Sequence, residues 1–544
     1  MTEFFKSLLI SIIFVFQMSA QTSIVKDNLV GKADGIPFLN AVDNLISVYK
    51  GKIVFCGTNK FADLSTEGDY EPWIYDPANN TMSILKDIIP LRPSVPNKFV
   101  VSGDKLFFGA RDQFFLSDQV FVSNGTPSGT LNLADTTNGL IGMLRNFSRN
   151  TIASLNNGII FNGYISKTEY GLWYSDGTRN GTLKINESGF ADNFVLHPTS
   201  QKVIFTQDSK FKISDGTKSG TKDLNDLTVI SAVSTQSIGM GLYKNSLIVE
   251  GLDPRTTTFG LFISDGINST YTKIIDFGDF PTNVRNVVDI GNNHCMLSNK
   301  NGLYSTDGTI NGFTNIPNII PFKSDNFYTD LWTVYKGKMY FAASEAINNK
   351  GVELYVSDGT VAGTKLFMDI NAGIADANPF NFKVYNDILY FSANTATTGN
   401  ELWLTDGTVQ GTKMIADINV GNGSSNPQYM TGLGSELYFA ATDGKTGYEL
   451  WKLNTAKVAV ENVNHSQQLF VYPTVGNGNL TISGDLSEVK KIVISNCNGG
   501  TVRLINEIEN NINLEKLKLE KGNYFISFYN NSQLLYSQSI QIVK

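Results

Sequence analysis

The chain has 544 residues, 41% of them apolar and only 17% charged, with a formal net charge of −7 and a pI near 5.2. That length leaves room for large apolar cores, and the three cysteines, Cys56, Cys295 and Cys497, are too few and too scattered for a disulfide framework. The acidic balance argues against nucleic acid and anionic membranes as main partners.

The chain opens with Lys6 and an apolar run from Ser7 to Phe16, and turns polar at Gln21. The run is too short for a bilayer span, which takes ~20 residues, and fits the central region of a secretory signal peptide. Cleavage is expected between Ala20 and Gln21, so residues 1–20 form the signal; Met18 is larger than the usual residue at its place. No other run approaches transmembrane length, and no cysteine follows the apolar run as lipid attachment would require. A soluble, exported chain is expected.

From there the sequence repeats. ELWLTDGTVQGT (Glu401 to Thr412) echoes ELYVSDGTVAGT and GLWYSDGTRNGT. Aligned on the Asp of the DGT phrase, copies centre on Asn124, Asp176, Asp215, Asp265, Asp307, Asp358 and Asp406, with worn copies at Asp76 and Asn454. The nine units are spaced by 48, 52, 39, 50, 42, 51, 48 and 48 residues. Each has one plan, shown by FNFKVYN, DILYFSAN, NELWLTDG and GTKMIADIN: four short segments rich in aromatic and β-branched residues, bounded by Gly, Asn or Asp. Four strands per unit, repeated, predict the blades of a β-propeller. In ELWLT, Leu402 and Leu404 face one way and Trp403 the other, so both faces are apolar, as in a sheet stacked between sheets.

Three places before the anchor stand Trp73, Phe121, Trp173, Phe262, Tyr304, Tyr355, Trp403 and Trp451; Lys212 breaks the rule. Four of the five tryptophans occupy this slot, which suits rings wedged between blades. Asp–Gly is a tight-hairpin signal, and a second Gly recurs five places later, at Gly129, Gly181, Gly220, Gly312, Gly363 and Gly411. The phrase therefore reads as structure. Anchors Asp176, Asp215, Asp265, Asp307, Asp358 and Asp406 would lie one per blade, too far apart to converge on a substrate. The phrase resembles the Asp-box hairpin of sialidase-type propellers. More closely, residues 36–457 resemble the ELWxxDGT repeats of secreted proteins of Gram-negative bacteria, which speaks to architecture and hardly to activity.

Candidate chemistry is sparse. Asp369 with Asn371, and Asp417 with Asn419, are fragments of a calcium loop that lack the third ligand and the distal Glu. They read as Asx-turns linking blades, with calcium as the alternative and no other cofactor expected. The histidines, His197, His294 and His465, sit in unrelated contexts, and neighbours His294 and Cys295 point to opposite faces of a strand. There is no G-x-S-x-G elbow and no C-x-x-C pair, and eight arginines make a carboxylate clamp hard to build. Two carboxylates meeting in a central channel would suffice for glycoside hydrolysis. Glu353, Glu401 and Glu449 share one strand position, which points to structure or a rim.

The repeat grammar ends near Val458, a polar linker covers 461–468, and 469–544 follow a different pattern. Alternating apolar residues with Asn-Gly and Gly-Gly turns predict six or seven strands in a small β-sandwich. Val471-Tyr472-Pro473-Thr474, Gly476-Asn477-Gly478, Asn498-Gly499-Gly500, Lys521-Gly522-Asn523-Tyr524 and a last strand ending in Lys544 closely resemble the C-terminal sorting domain of type IX secretion. Thr474-Val475 departs from the Asn-Pro usual there. The resemblance implies export to the periplasm, passage through the outer membrane by the type IX machinery, removal of the domain, and release or attachment to surface lipopolysaccharide. The expected fold is all-β: a propeller of eight or nine blades over residues 21–460, then the sandwich. The first functional expectation is a secreted or surface binding protein for a carbohydrate or protein ligand. A polysaccharide hydrolase or lyase with acids in the channel is second, and a purely structural envelope protein third.

Overall fold

The computed structural model describes residues 22–26, 34–37, 45–60, 68–112, 118–134, 139–140, 142–143, 152–166, 169–186, 189–228, 239–282, 284–299, 302–322, 332–345 and 350–455. Near the C-terminus it describes 470–472, 475–476, 479–483, 486, 489–496, 501–506, 508–509, 511–530 and 533–542. The signal segment with Ala20 and Gln21, the linker, His465, Cys497 and Lys544 lie outside these residues. The chain divides into two compact units, Met1–Thr455 and Ala456–Lys544.

In the first unit the segments of the repeats become antiparallel strands, four to a blade in the regular case. In the eighth unit they are Phe380–Tyr385, Ile388–Thr395, Gly399–Thr405 and Lys413–Ala416, paired in that order. The ninth unit supplies three strands, Gln428–Leu433, Glu436–Thr442 and Tyr448–Asn454. Its fourth is the N-terminal strand Thr22–Lys26, which pairs antiparallel with Tyr448–Asn454. The chain ends thus share a blade, and the described residues still form nine blades. This explains the worn phrase at Asn454, where no hairpin follows because the next strand comes from the other end of the chain.

The first strand of every blade is innermost: Ile46–Tyr49, Asn97–Ser102, Ile152–Leu155, Ala191–Leu196, Met240–Tyr243, Arg285–Gly291, Trp332–Tyr335, Phe380–Tyr385 and Gln428–Leu433. Each touches the inner strand of the next blade, and the ninth touches the first, so the ring is closed. Blades four and five are further joined by one bridge, Thr228 to Leu252, into a continuous eight-stranded sheet.

The core is a series of wedges between neighbouring blades. Trp403 and Phe391 of blade eight pack on Leu354, Val356 and Tyr340 of blade seven; Trp173 and Phe161 of blade three pack on Phe107, Val120 and Val122 of blade two. Trp73 of blade one shares a cluster with Tyr438 and Leu450 of blade nine, which seals the ring. Sequence reading missed a second aromatic slot. Phe55, Phe108, Phe161, Phe205, Phe341, Phe391 and Phe439 are fully buried on the second strands and stand directly across from the first slot. Such cross-strand pairs are the unit of sheet stabilisation. In blade four the partner of Phe205 is Lys212, whose ammonium reaches Asp223 on the outer strand at 2.7 Å.

The second unit holds a three-stranded sheet and a five-stranded sheet over a core that includes Ile482, Ile492, Ile494, Ile526 and Phe528. Among the described residues it has eight strands, where about six or seven are expected, and one helical turn, Leu514–Leu517. The extra strands, Val475–Gly476 and Asn511–Asn513, are too short to produce an alternating pattern. No helix among the described residues is long and apolar enough to cross a membrane.

Candidate functional site

Strand order gives the propeller two unlike ends. Turns from first to second strand and from third to fourth strand lie at one end; connections from second to third strand and from blade to blade lie at the other. The first end is uniform. In blade eight, Asp406 Oδ1 accepts from the Thr408 N–H at 2.8 Å and the Thr408 hydroxyl at 2.7 Å. Thr408 Oγ1 then accepts from Gly411 N at 2.9 Å. The same bonds occur at Asn124, Asp176, Asp215 and Asp358. Gly407 follows the anchor at φ 95°, as glycine permits. Gly411 has ordinary φ, but a Cβ there would land on the Asp406 carboxylate, which is why that position repeats as glycine. The residue before the anchor also pairs beneath the turn with the Thr six places after it: Thr405 with Thr412 and Ser357 with Thr364, both at 2.7 Å. Hydrogen bonds from Thr360 and Thr309 hold the Asp358 and Asp307 carboxyls below the usual carboxylate range. The anchors are occupied by their own turns.

This end is also sewn from blade to blade. The Tyr385 hydroxyl donates to Gly434 O, Asn292 Nδ2 to Gly337 O, and Asn156 Nδ2 to Asp215 O. His197 Nε2 lies 2.9 Å from Asn245 O, so this histidine is a structural tie. His294 Nδ1 meets Ser305 Oγ, while its neighbour Cys295 is fully buried.

The opposite end carries the variation. Its interblade loops are held by buried glutamates five places before the anchor. Glu401 accepts from Ile418 N at 2.9 Å, Ser425 N at 3.0 Å and the Ser425 hydroxyl at 2.6 Å. Glu353 accepts from Ile370 N and Ala377 N, Glu71 from Ile88 N and the Ser94 hydroxyl, and Glu449 from Gly35 N. All four are fully buried. Burial pushes the Glu71 carboxyl up to about 8, with nearby Asp69 adding to the rise against the pull of its donors. Burial likewise raises Glu353 and Glu401 to about 7. Glu71 completes the set that sequence reading had begun with three; its neighbour Pro72 had disguised the ELW pattern.

Each of four held loops displays a large, exposed apolar side chain: Leu91 at 53%, Phe280 at 74%, Ile374 at 77% and Val420 at 81%. The Phe280 loop is held by Glu250, which accepts from Thr282 N at 2.6 Å and Val284 N at 2.7 Å. Just inside, the inner strands of blades two, four, eight and nine bulge at one register, with Lys98, Asn193, Asn381 and Tyr429 at φ near 55°. In blades three and seven the inner position is split at that register, between Gly142–Met143 and Ile152–Leu155 and between Ile319–Pro321 and Trp332–Tyr335.

The expected calcium fragments lie in two of these loops. Asp369 pairs with Lys350 at 2.8 Å, and Asn371 donates to Asp376 O while accepting from Ala396 N. Asp417 accepts from Gly421 N, and Asn419 donates to Ser424 O. These are contacts of loop closure, and no group of three or more His, Cys, Asp or Glu side chains fit to hold a metal occurs among the described residues. The described inner strands carry two carboxylates, Asp192 and Asp289. Asp192 accepts from Asn193 N, and Asp289 from Lys244 N and Gly291 N.

No curated protein matches the chain. Among solved structures it is similar to a puromycin hydrolase at 10% identity and a TM-score of 0.35, covering 64% of this chain and 58% of the hydrolase. It thus spans little more than half of that relative. The β-propeller domain of the Trilobed protease from Pyrococcus furiosus gives 15% identity and a TM-score of 0.33, over 69% and 98% of the two chains. An oligogalacturonate lyase in complex with manganese gives 9% and 0.33, over 65% and 98%. The propeller assignment itself rests on sheet order and ring closure. Residues 470–543 match the family described as the secretion system C-terminal sorting domain, so the chain is exported by type IX secretion, to the outer surface or the medium.

Proposed function

We propose that this chain is an ELWxxDGT-repeat propeller acting as a secreted or surface-displayed binding protein, with its ligand held on the face of the interblade loops. The observation that carries the reading is the set of exposed apolar tips, Leu91, Phe280, Ile374 and Val420, on loops whose backbones are held from below. Exposed apolar surface on an ordered scaffold is a mark of interaction sites. Three of the four tips are aliphatic, which favours a protein ligand over a carbohydrate. The local engagement of Asp192 and Asp289 favours binding over glycoside cleavage. The sorting domain is removed after outer-membrane passage, leaving the propeller on the surface or free.

The test compares the parent with a variant carrying Ser at all four tips. Both are screened on a glycan array and against proteins of the culture medium and envelope, with reducing-sugar release measured beside them. Binding of one protein by the parent, lost in the tip variant at unchanged melting temperature, supports the reading. Sugar release by the parent would replace it with the hydrolase or lyase.

A further inference from the structure

We propose that Glu71, Glu353, Glu401 and Glu449 are positioning residues, whose buried carboxyls set the shape of the loop face. This rests on the reading of that face as the binding surface. The four stand at one repeat position, and each accepts from backbone of the loop that leaves its own blade or, for Glu449, from the N-terminal segment that takes the loop's place. Once ionised, the carboxyl suits the task because it is acceptor-only and offers several lone pairs to converging N–H groups, so the exchange comparison is made at a pH above the raised range of Glu401. Glu401 shows the geometry. It binds Ile418 and Ser425, either side of the exposed Val420, so both ends of the loop are fixed and the tip is left outside.

An independent observation comes from blades that lack the glutamate. In blades three and five the position is glycine, Gly171 and Gly260. There the acceptor moves to the second strand. Asn162 bonds both the N–H and the carbonyl of Ala191, and Glu250 takes Thr282 N and Val284 N. Two different sequence solutions meet one requirement, a buried acceptor under the interblade loop. Charged and titratable groups around these carboxyls include Asp69 beside Glu71, Asp369 with its partner Lys350, together with Tyr355 and Glu345, around Glu353, Tyr448 near Glu401, and Asp34 beside Glu449.

The experiment is amide hydrogen exchange on the full chain and its Glu401→Gln variant, read by peptide mass. Glutamine keeps the shape but turns one acceptor into a donor facing N–H groups. Exchange over residues 417–427 should quicken at least tenfold, while 403–412 in the same blade and 369–379 over Glu353 stay as in the parent. Unchanged exchange at 417–427 would overturn the proposal, and so would equal acceleration across the blade, which would make Glu401 an ordinary core residue. If that variant fails to fold, Ser425→Ala removes one donor to the same carboxyl and should quicken the same segment several-fold; no change there also overturns it. The readout needs no ligand, so failure of the ligand screen would remove the binding reading and leave this result standing.

Discussion

Gly411→Ala is a small substitution whose effect should depend on one other residue. The backbone at Gly411 lies outside the left-handed region, so alanine is allowed there, and such a change alone commonly stabilises by ~0.4–1 kcal/mol. The new Cβ, however, lands on the Asp406 carboxylate. Asp406 must leave the turn and lose its bonds to the Thr408 N–H and hydroxyl. At ~0.5–1.5 kcal/mol for each bond, the net effect is a loss of about 1–2 kcal/mol. Asp406→Ala loses the same two bonds and should cost a similar amount. In the double variant the clash has no partner, so the Gly411→Ala step turns neutral or stabilising, and the two changes couple by roughly 2 kcal/mol, within the range for contacting residues. Urea unfolding of the four proteins measures the cycle. Gly407→Ala is the control: at φ 95° it is strained whether or not Asp406 is present, so no rescue is expected. Additive losses for Gly411 and Asp406 would refute the packing explanation of the second glycine.

Three further outcomes are expected. Trp403→Ala should cost ~3–5 kcal/mol, because the ring is 8% exposed between blades seven and eight; an unchanged melting curve would mean the ring is not wedged there. Deleting residues 22–26 should lower the melting temperature by removing the fourth strand of blade nine and opening the edge Tyr448–Asn454; an unchanged melt would mean that the ring does not close through this strand. Stability should fall as pH rises from about 5 to 8. Glu71, Glu353 and Glu401 keep their protons in the folded state into that range, whereas the unfolded carboxyls ionise near 4.5, so the folded state binds more protons and is favoured at the acid side. A melting temperature that instead climbs over this window would show that the N–H donors outweigh burial and keep these groups charged.

The blade plan was legible because it is written in short-range chemistry. The Asp–Gly turns, the aromatic slot and the four segments of unit eight each sit within a few residues of one another, and the strands fall where the segments do. The second aromatic slot was missed although Phe55, Phe161 and Phe391 are plain in the sequence. Its distance from the anchor varies with the length of the second-to-third connection, so it does not align until pairing sets Phe391 across from Trp403. The role of the glutamates was hidden for a related reason. Glu401 and its donors are 17 to 24 residues apart, and nothing local says that the loop returns over the strand. Blade number stood between eight and nine because closure is a contact across 431 residues, joining Thr22 to Leu453. The exposed tips could not be read at all, since a lone Leu, Ile or Val in a loop has no sequence mark that separates display from burial.

What repeats and what varies are thus divided between the ends of the ring. The turn end is fixed by bonds that each phrase makes to itself, and it can be copied without regard to neighbours. At the loop end a buried acceptor lies under the connections of six blades, and it changes from Glu401 to Asn162 to Glu250 as the local sequence changes. Such a scaffold lets loop tips vary while their roots stay held. The closing strand adds a condition of its own. Thr22–Lys26 cannot pair until Tyr448–Asn454 has been made, so blade nine is completed only after the rest of the propeller has been synthesised. Among the described residues, every strand pairing of the ring is made within residues 22–454.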